Sequence, residues 1–121
     1  MKEKFQELYE SLKIDRKNSE WSREHSMKER AEELYKEVLE IKQALENDDV
    51  KNLREELGDA LWDLLFMIVI AEEQKLFSGK EVINDAMEKL KRRKPWIFTG
   101  KKLSKEEESK LWNEIKKKEK E

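Results

Sequence analysis

The residues most able to do chemistry in this 121-residue chain are four acids, Glu37 with Glu40 and Glu56 with Asp59. Each pair is spaced i, i+3 within a segment of helical patterning, and residues three apart share a helix face. Each pair therefore sets two carboxylates side by side. If the two helices pack antiparallel, four carboxylates converge on one place and repel one another unless a cation lies between them. Donors that are all oxygen select hard cations, so Mg²⁺ is the expected guest, with Mn²⁺ as a substitute. Glu37 and Glu40 alone would also fit an ordinary solvated helix face. Glu56 and Asp59 fit that description less well, because they run into a wholly apolar stretch where an unpaired acid is costly.

The elements that must position these acids read as helices throughout, and the expected fold is an all-α bundle of about five helices. Phe5, Leu8, Tyr9 and Leu12 form a helical stripe from Lys2 to about Lys13, after which Ile14 to His25 shows no period and is expected to be a loop. Ser26-Met-Lys-Glu29 is a capping box that opens a second helix carrying Leu34, Val38, Ile41 and Leu45. Asn47-Asp-Asp49 breaks that helix and can cap the next, expected from Val50 to Leu76 with Leu53, Leu57, Leu61, Leu64 and Ile68 as its stripe. Ser78-Gly-Lys-Glu81 and Ser104-Lys-Glu-Glu107 are further capping boxes, opening a fourth helix through Leu90 and a last one through Ile115. Pro95 prevents simple continuation between these two. A plain charged coiled coil fits poorly, since the pattern is interrupted every 20 or so residues by a cap. In organisation the chain reads as a single domain over 1–121. About 1–25 form an N-terminal helix and loop, 26–92 an acidic helical core, and 93–121 a loop and C-terminal helix.

Composition narrows the function classes. Charged residues make up 46% of the chain, but 27 basic and 29 acidic side chains nearly cancel, which argues against a general nucleic-acid binder. The absence of cysteine excludes disulfides and thiolate metal sites and fits a cytoplasmic location. The N-terminus is charged from Lys2, so no signal peptide is expected, and the apolar run Leu64 to Ala71 is far too short to span a membrane. Only 36% of residues are hydrophobic, little for a lone small domain to bury. Leu64 to Ala71 is apolar on every face and should be buried on every face. Both features point to a core completed by a partner copy. Charge is also segregated. Glu32 to Asp59 holds ten acids against four bases, while Lys89 to Lys94 (KLKRRK) holds five bases in six residues. An acidic cluster for metal and a basic one for phosphate would suit a metal-bound polyphosphate, although a basic run at a helix end also complements the macrodipole.

Lys36-Glu-Val-Leu-Glu40 followed by Glu56-Leu-Gly-Asp59 resembles the EExxE…ExxD signature of MazG-type nucleoside triphosphate pyrophosphohydrolases. Three flanking blocks strengthen the likeness. Glu20-Trp-Ser-Arg-Glu-His-Ser26 is similar to the family's PWD-REQT segment, and Lys89 to Phe98 to its K-x-x-RRHPHVF stretch. Leu111 to Glu119 is similar to the W-x-x-IK-x-x-EK helix, so the resemblance covers roughly residues 20 to 120 in order. It implies a MazG-like all-α fold, working as a homodimer or dimer of dimers, that hydrolyses a nucleoside triphosphate to the monophosphate and pyrophosphate with Mg²⁺. The family's metal ligands fall on Glu37, Glu40, Glu56 and Asp59. Two departures stand out: the first Glu of EExxE is Lys36, with Glu33 the nearest substitute acid, and the motif's histidines are Lys94 and Trp96.

The expected mechanism is attack of a metal-activated water at the α-phosphorus, with basic side chains stabilising charge on the phosphate oxygens. Glu40 or Glu56 would orient the water. Arg92 and Arg93, then Lys89, are the candidates for phosphate contact, because the guanidinium fork fits phosphate oxygens. Trp21 and Trp96 are candidate stacking surfaces for the base, or else packing residues. Asp63 is either a fifth acid of the site or a charge ending the apolar run. Trp62 and Trp112 read as core or interface, and His25 as structural or exposed. Competing readings are a dUTPase-like or phosphoribosyl-ATP pyrophosphohydrolase relative, and a catalytically weak or inactive helical interaction module, for which Lys36 is the best argument.

Overall fold

The computed structural model describes residues 1–120. It contains α1 (Lys2–Asn18), α2 (Glu20–Glu24), α3 (Met27–Glu46), α4 (Val50–Glu73), α5 (Gly79–Arg93), a 3₁₀ turn (Pro95–Thr99) and α6 (Lys105–Glu119). No strand occurs among the described residues. The chain forms two compact units, Met1–Gly79 and Lys80 onward.

In the first unit α3 and α4 pack antiparallel and α1 lies against α4. Ser26 and Glu29 make the reciprocal capping box expected for α3, and the Asp49 side chain accepts from the Asn52 amide to start α4. Leu12, Leu65, Phe66, Val69 and Ile70 form the core, with Phe5, Leu8, Tyr9, Met27 and Ile68 packed around it. Gly79 closes the unit where the Tyr9 hydroxyl approaches the backbone. A Cβ there would stand 2.8 Å from that oxygen, so a larger residue would displace the ring.

Two expectations are corrected here. Ile14 to His25 is not a loop: α1 continues to Asn18, and Ser19 caps the short α2. The buried residue one turn after Leu12 is Arg16, which bonds the Ser22 and His25 carbonyls and the Glu73 carboxylate. A charged residue thus replaces the apolar one that a helical stripe would need. Second, the stripe Leu53-Leu57-Leu61-Leu64-Ile68 is not the core face of α4, for Leu57 and Leu64 are 52% and 48% exposed. The buried face carries Glu56, Asp63, Phe66 and Ile70, so polar residues face inward along half of it. Within one chain Leu64 to Ala71 is buried except at the exposed Leu64 and the half-buried Met67 and Ile68, and Trp62 is likewise exposed.

In the second unit, Arg92 and Arg93 of α5 converge on Glu119 of α6, and Lys94 bonds Glu108 at 3.0 Å. Trp112 stands half-buried among Arg93, Lys94 and Lys116, whose charges lie 5.5–5.7 Å from its ring. Gly100 ends the 3₁₀ turn at φ 72°, a left-handed position that favours glycine.

Candidate metal centre

The antiparallel pairing of α3 with α4 brings the separated acids together. Glu37, Glu56 and Asp59 each offer a carboxylate oxygen, and all three oxygens lie within 4.8 Å of one another. Glu56 is buried at 9% exposure, while Glu37 and Asp59 are half-buried. Glu40, exposed on the same face of α3 as Glu37, is not one of these three, but it is near enough to act on the Glu56 carboxyl.

Crowding of like charge dominates the electrostatics. Hydrogen bonds to Glu40 and Glu37, then burial and the two carboxylate charges, push the Glu56 carboxyl up from 4.5 to about 8. At neutral pH it holds a proton, whose O–H can donate to one of these two carboxylates. The bond from Glu56 works to lower Glu37, but burial and the charges of Glu40 and Asp59 outweigh it, and Glu37 is also raised. One oxygen of Glu37 and one of Glu56 are buried with no hydrogen-bond partner. Buried acceptors without a donor are what a cation would satisfy, and the all-oxygen donor set suits a hard divalent ion. The residues present fit such an ion.

Asp63, one turn beyond Asp59, belongs elsewhere: it is 7% exposed and its partner is Arg30, whose Nη1 donates to Oδ1 at 3.4 Å. Sequence reasoning gave Arg30 no role. Its signal was position, since it lies two turns before Glu37 on the same helix face. Lys36 turns to Glu33 at 3.3 Å, and both are exposed, so neither joins the acidic group. Trp21 is 62% exposed, yet its ring meets His25 with centroids 3.9 Å apart, and the Arg30 guanidinium lies 5.4 Å from it.

The other expected contacts lie in the second unit. Arg92 Nε donates to Glu119 at 2.8 Å, and Arg93 offers Nε and Nη2 to both oxygens of that carboxylate. This arrangement is an anion-binding geometry filled by an internal carboxylate. Lys89 is exposed and Trp96 is half-buried in the 3₁₀ turn. A hollow of about 280 Å³ lies between Lys94, Lys105 and Trp112.

A family model described as the MazG nucleotide pyrophosphohydrolase domain matches residues 25–98. The nucleoside triphosphate pyrophosphohydrolase of Mycobacterium tuberculosis is 34% identical over 102 residues, covering 83% of this chain and 31% of that protein. A Bacillus subtilis protein named uncharacterized protein YabN is 31% identical over 101 residues, covering 83% of this chain and 21% of its own length. The chain thus spans between 21% and 33% of the length of the curated relatives it matches. The crystal structure of a mazG-related protein from Thermotoga maritima superposes with a TM-score of 0.87 at 32% identity, over 93% of this chain and 98% of that one. No helix among the described residues is long and apolar enough to cross a membrane.

Proposed function

Because the chain belongs to the MazG nucleotide pyrophosphohydrolase family, we propose that it hydrolyses nucleoside triphosphates, ribo or deoxy, to the monophosphate and pyrophosphate. The observation that carries this reading is the acidic group between α3 and α4, with its two partnerless buried oxygens. Glu37, Glu40, Glu56 and Asp59 would hold Mg²⁺, or Mn²⁺ in its place. When bound, the ion neutralises triphosphate charge and makes water a stronger nucleophile at neutral pH. Either Glu40 or Glu56 orients the water and takes its proton as it attacks the α-phosphorus in line and pyrophosphate leaves. Lys89 is the proposed phosphate contact that is exposed, Arg92 and Arg93 would serve only where a phosphate displaces the Glu119 carboxylate, and Trp21 and Trp96 are the proposed base contacts.

The working form is a homodimer or dimer of dimers of single 1–121 domains, in the cytoplasm, with neither nucleic acid nor membrane as partner. Exposure of Leu57, Leu61 and Leu64 along one stripe of α4 supports the oligomer. The test is incubation with each nucleoside triphosphate and Mg²⁺. Monophosphate plus pyrophosphate is expected, with a fall of at least about a hundredfold in Glu56→Gln. Diphosphate plus orthophosphate would mean another reaction. No turnover, with Mn²⁺ affinity unchanged in Glu56→Gln, would favour an inactive interaction module.

A further inference from the structure

Arg30 is one of the most enclosed charges in the first unit, at 8% exposure. Its guanidinium lies 4.4 Å from the centre of the fully buried Phe66 ring and 5.4 Å from that of Trp21. Its Nη1 reaches Asp63 only at 3.4 Å, and its Nε is buried without an acceptor. This is poor construction for a stabilising ion pair: two charges are desolvated for one long hydrogen bond, and a donor is left over. An apolar pair of similar volume would hold α3 to α4 at least as well.

The location gives the pair another use. Asp63 stands four residues after Asp59, about 6 Å along α4, and Arg30 shares the α3 face of Glu37. The pair therefore sits in the same α3–α4 groove as the acidic group. From there the flat guanidinium reaches out to Trp21, a tryptophan that is 62% exposed but held against His25. A large aromatic surface kept exposed and in one orientation is ready to receive a flat partner.

We propose that Arg30 is a positioning residue for the base of the substrate: tethered by Asp63 about two turns along α3 from Glu37, its guanidinium holds the Trp21 indole as the surface on which the nucleobase packs. This rests on the nucleotide reading above and adds to it the device that fixes the base relative to the triphosphate. Trp21 would touch the base, and Arg30 acts through Trp21.

The test uses the full chain, Trp21→Ala, Arg30→Lys (charge kept, flat face lost) and the double replacement Arg30→Met with Asp63→Leu. Calorimetry with Mn²⁺ present measures affinity for an α,β-methylene nucleoside triphosphate, which is not cleaved, and for inorganic triphosphate, which has no base. Mn²⁺ affinity and Tm are measured alongside. All three variants are expected to bind the nucleotide analogue about tenfold more weakly. Inorganic triphosphate and Mn²⁺ should bind as to the parent, and the double variant should melt no lower than the parent. Unchanged analogue affinity in Arg30→Lys, or in the double variant should Arg30→Lys not fold, would overturn the proposal. So would an equal loss for inorganic triphosphate. A parent that binds neither phosphate compound would instead overturn the nucleotide reading itself.

Discussion

Glu56 shows most directly how a single residue ties the fold to the chemistry. Its carboxyl, pushed to about 8 by hydrogen bonds to Glu40 and Glu37, is protonated at pH 7, yet a metal ligand must be ionised. Binding a divalent ion at pH 7 should therefore release close to one proton per ion, and at pH 9 almost none. Calorimetry in two buffers of different ionisation heat measures this directly, and equal heats at pH 7 would remove Glu56 from the ligand set. The same shift fixes a sign for stability. A carboxyl raised from 4.5 favours the metal-free fold fully below about pH 4.5, and that contribution is lost as pH rises through 8. The metal-free protein should thus melt lower at pH 8.5 than at pH 5.5, and Mn²⁺ should restore most of the difference. The i, i+3 spacing of these acids was legible in the sequence because spacing alone decides which face they share. The roles of Arg30 and Asp63 were not, because pairing across helices depends on their relative register.

At the scale of elements, caps were more legible than stripes. Ser26 with Glu29 and Ser104 with Glu107 bound α3 and α6 as their local chemistry requires, since a capping box involves only four consecutive residues. The stripe of α4 misled for a reason special to a charged groove: Glu56 and Asp63 occupy its inward face, so hydrophobic periodicity selects the opposite one. The short α2 spans five residues, too few for any period to register. The attachment of α6 offers a check on element-level electrostatics. Hydrogen bonds from Arg93 and Arg92 hold Glu119 down at about 2 from 4.5. Its contribution is therefore present above about pH 4.5 and lost as pH falls through 2. Carboxyl carbon shifts in a Glu119-labelled sample should titrate near 2 at low salt. They should move toward 4.5 at 1 M salt, where screening acts within about 3 Å. A midpoint near 4.5 at low salt would mean that the two arginines are free for other anions.

For the whole molecule, the deciding feature is where its apolar surface lies. The buried core of the first unit is small, five buried residues with five more packed against it. Meanwhile Leu57, Leu61, Trp62 and Leu64 leave 37–52% of their surface exposed along the helix that also carries Glu56 and Asp59. In water such a stripe favours association, each leucine, already about half covered, gaining about half of the ~1.5–3 kcal/mol that burying a whole side chain is worth. Covering this stripe would also fix α4 from the side opposite the acidic groove, so assembly and metal binding would share one helix. The prediction is that Leu57→Glu with Leu61→Glu weakens self-association at least about a hundredfold, as measured by sedimentation equilibrium. Four new charges per dimer at a dry contact would have to lose their water. Neither leucine faces the acidic group, so the separated chains should still bind Mn²⁺ if their α3–α4 pair survives alone. Should they instead lose Mn²⁺ affinity together with the far-ultraviolet helical signal, the groove itself depends on the second copy. An unchanged mass for the double variant would mean that the α4 stripe is not the surface through which copies of this chain meet.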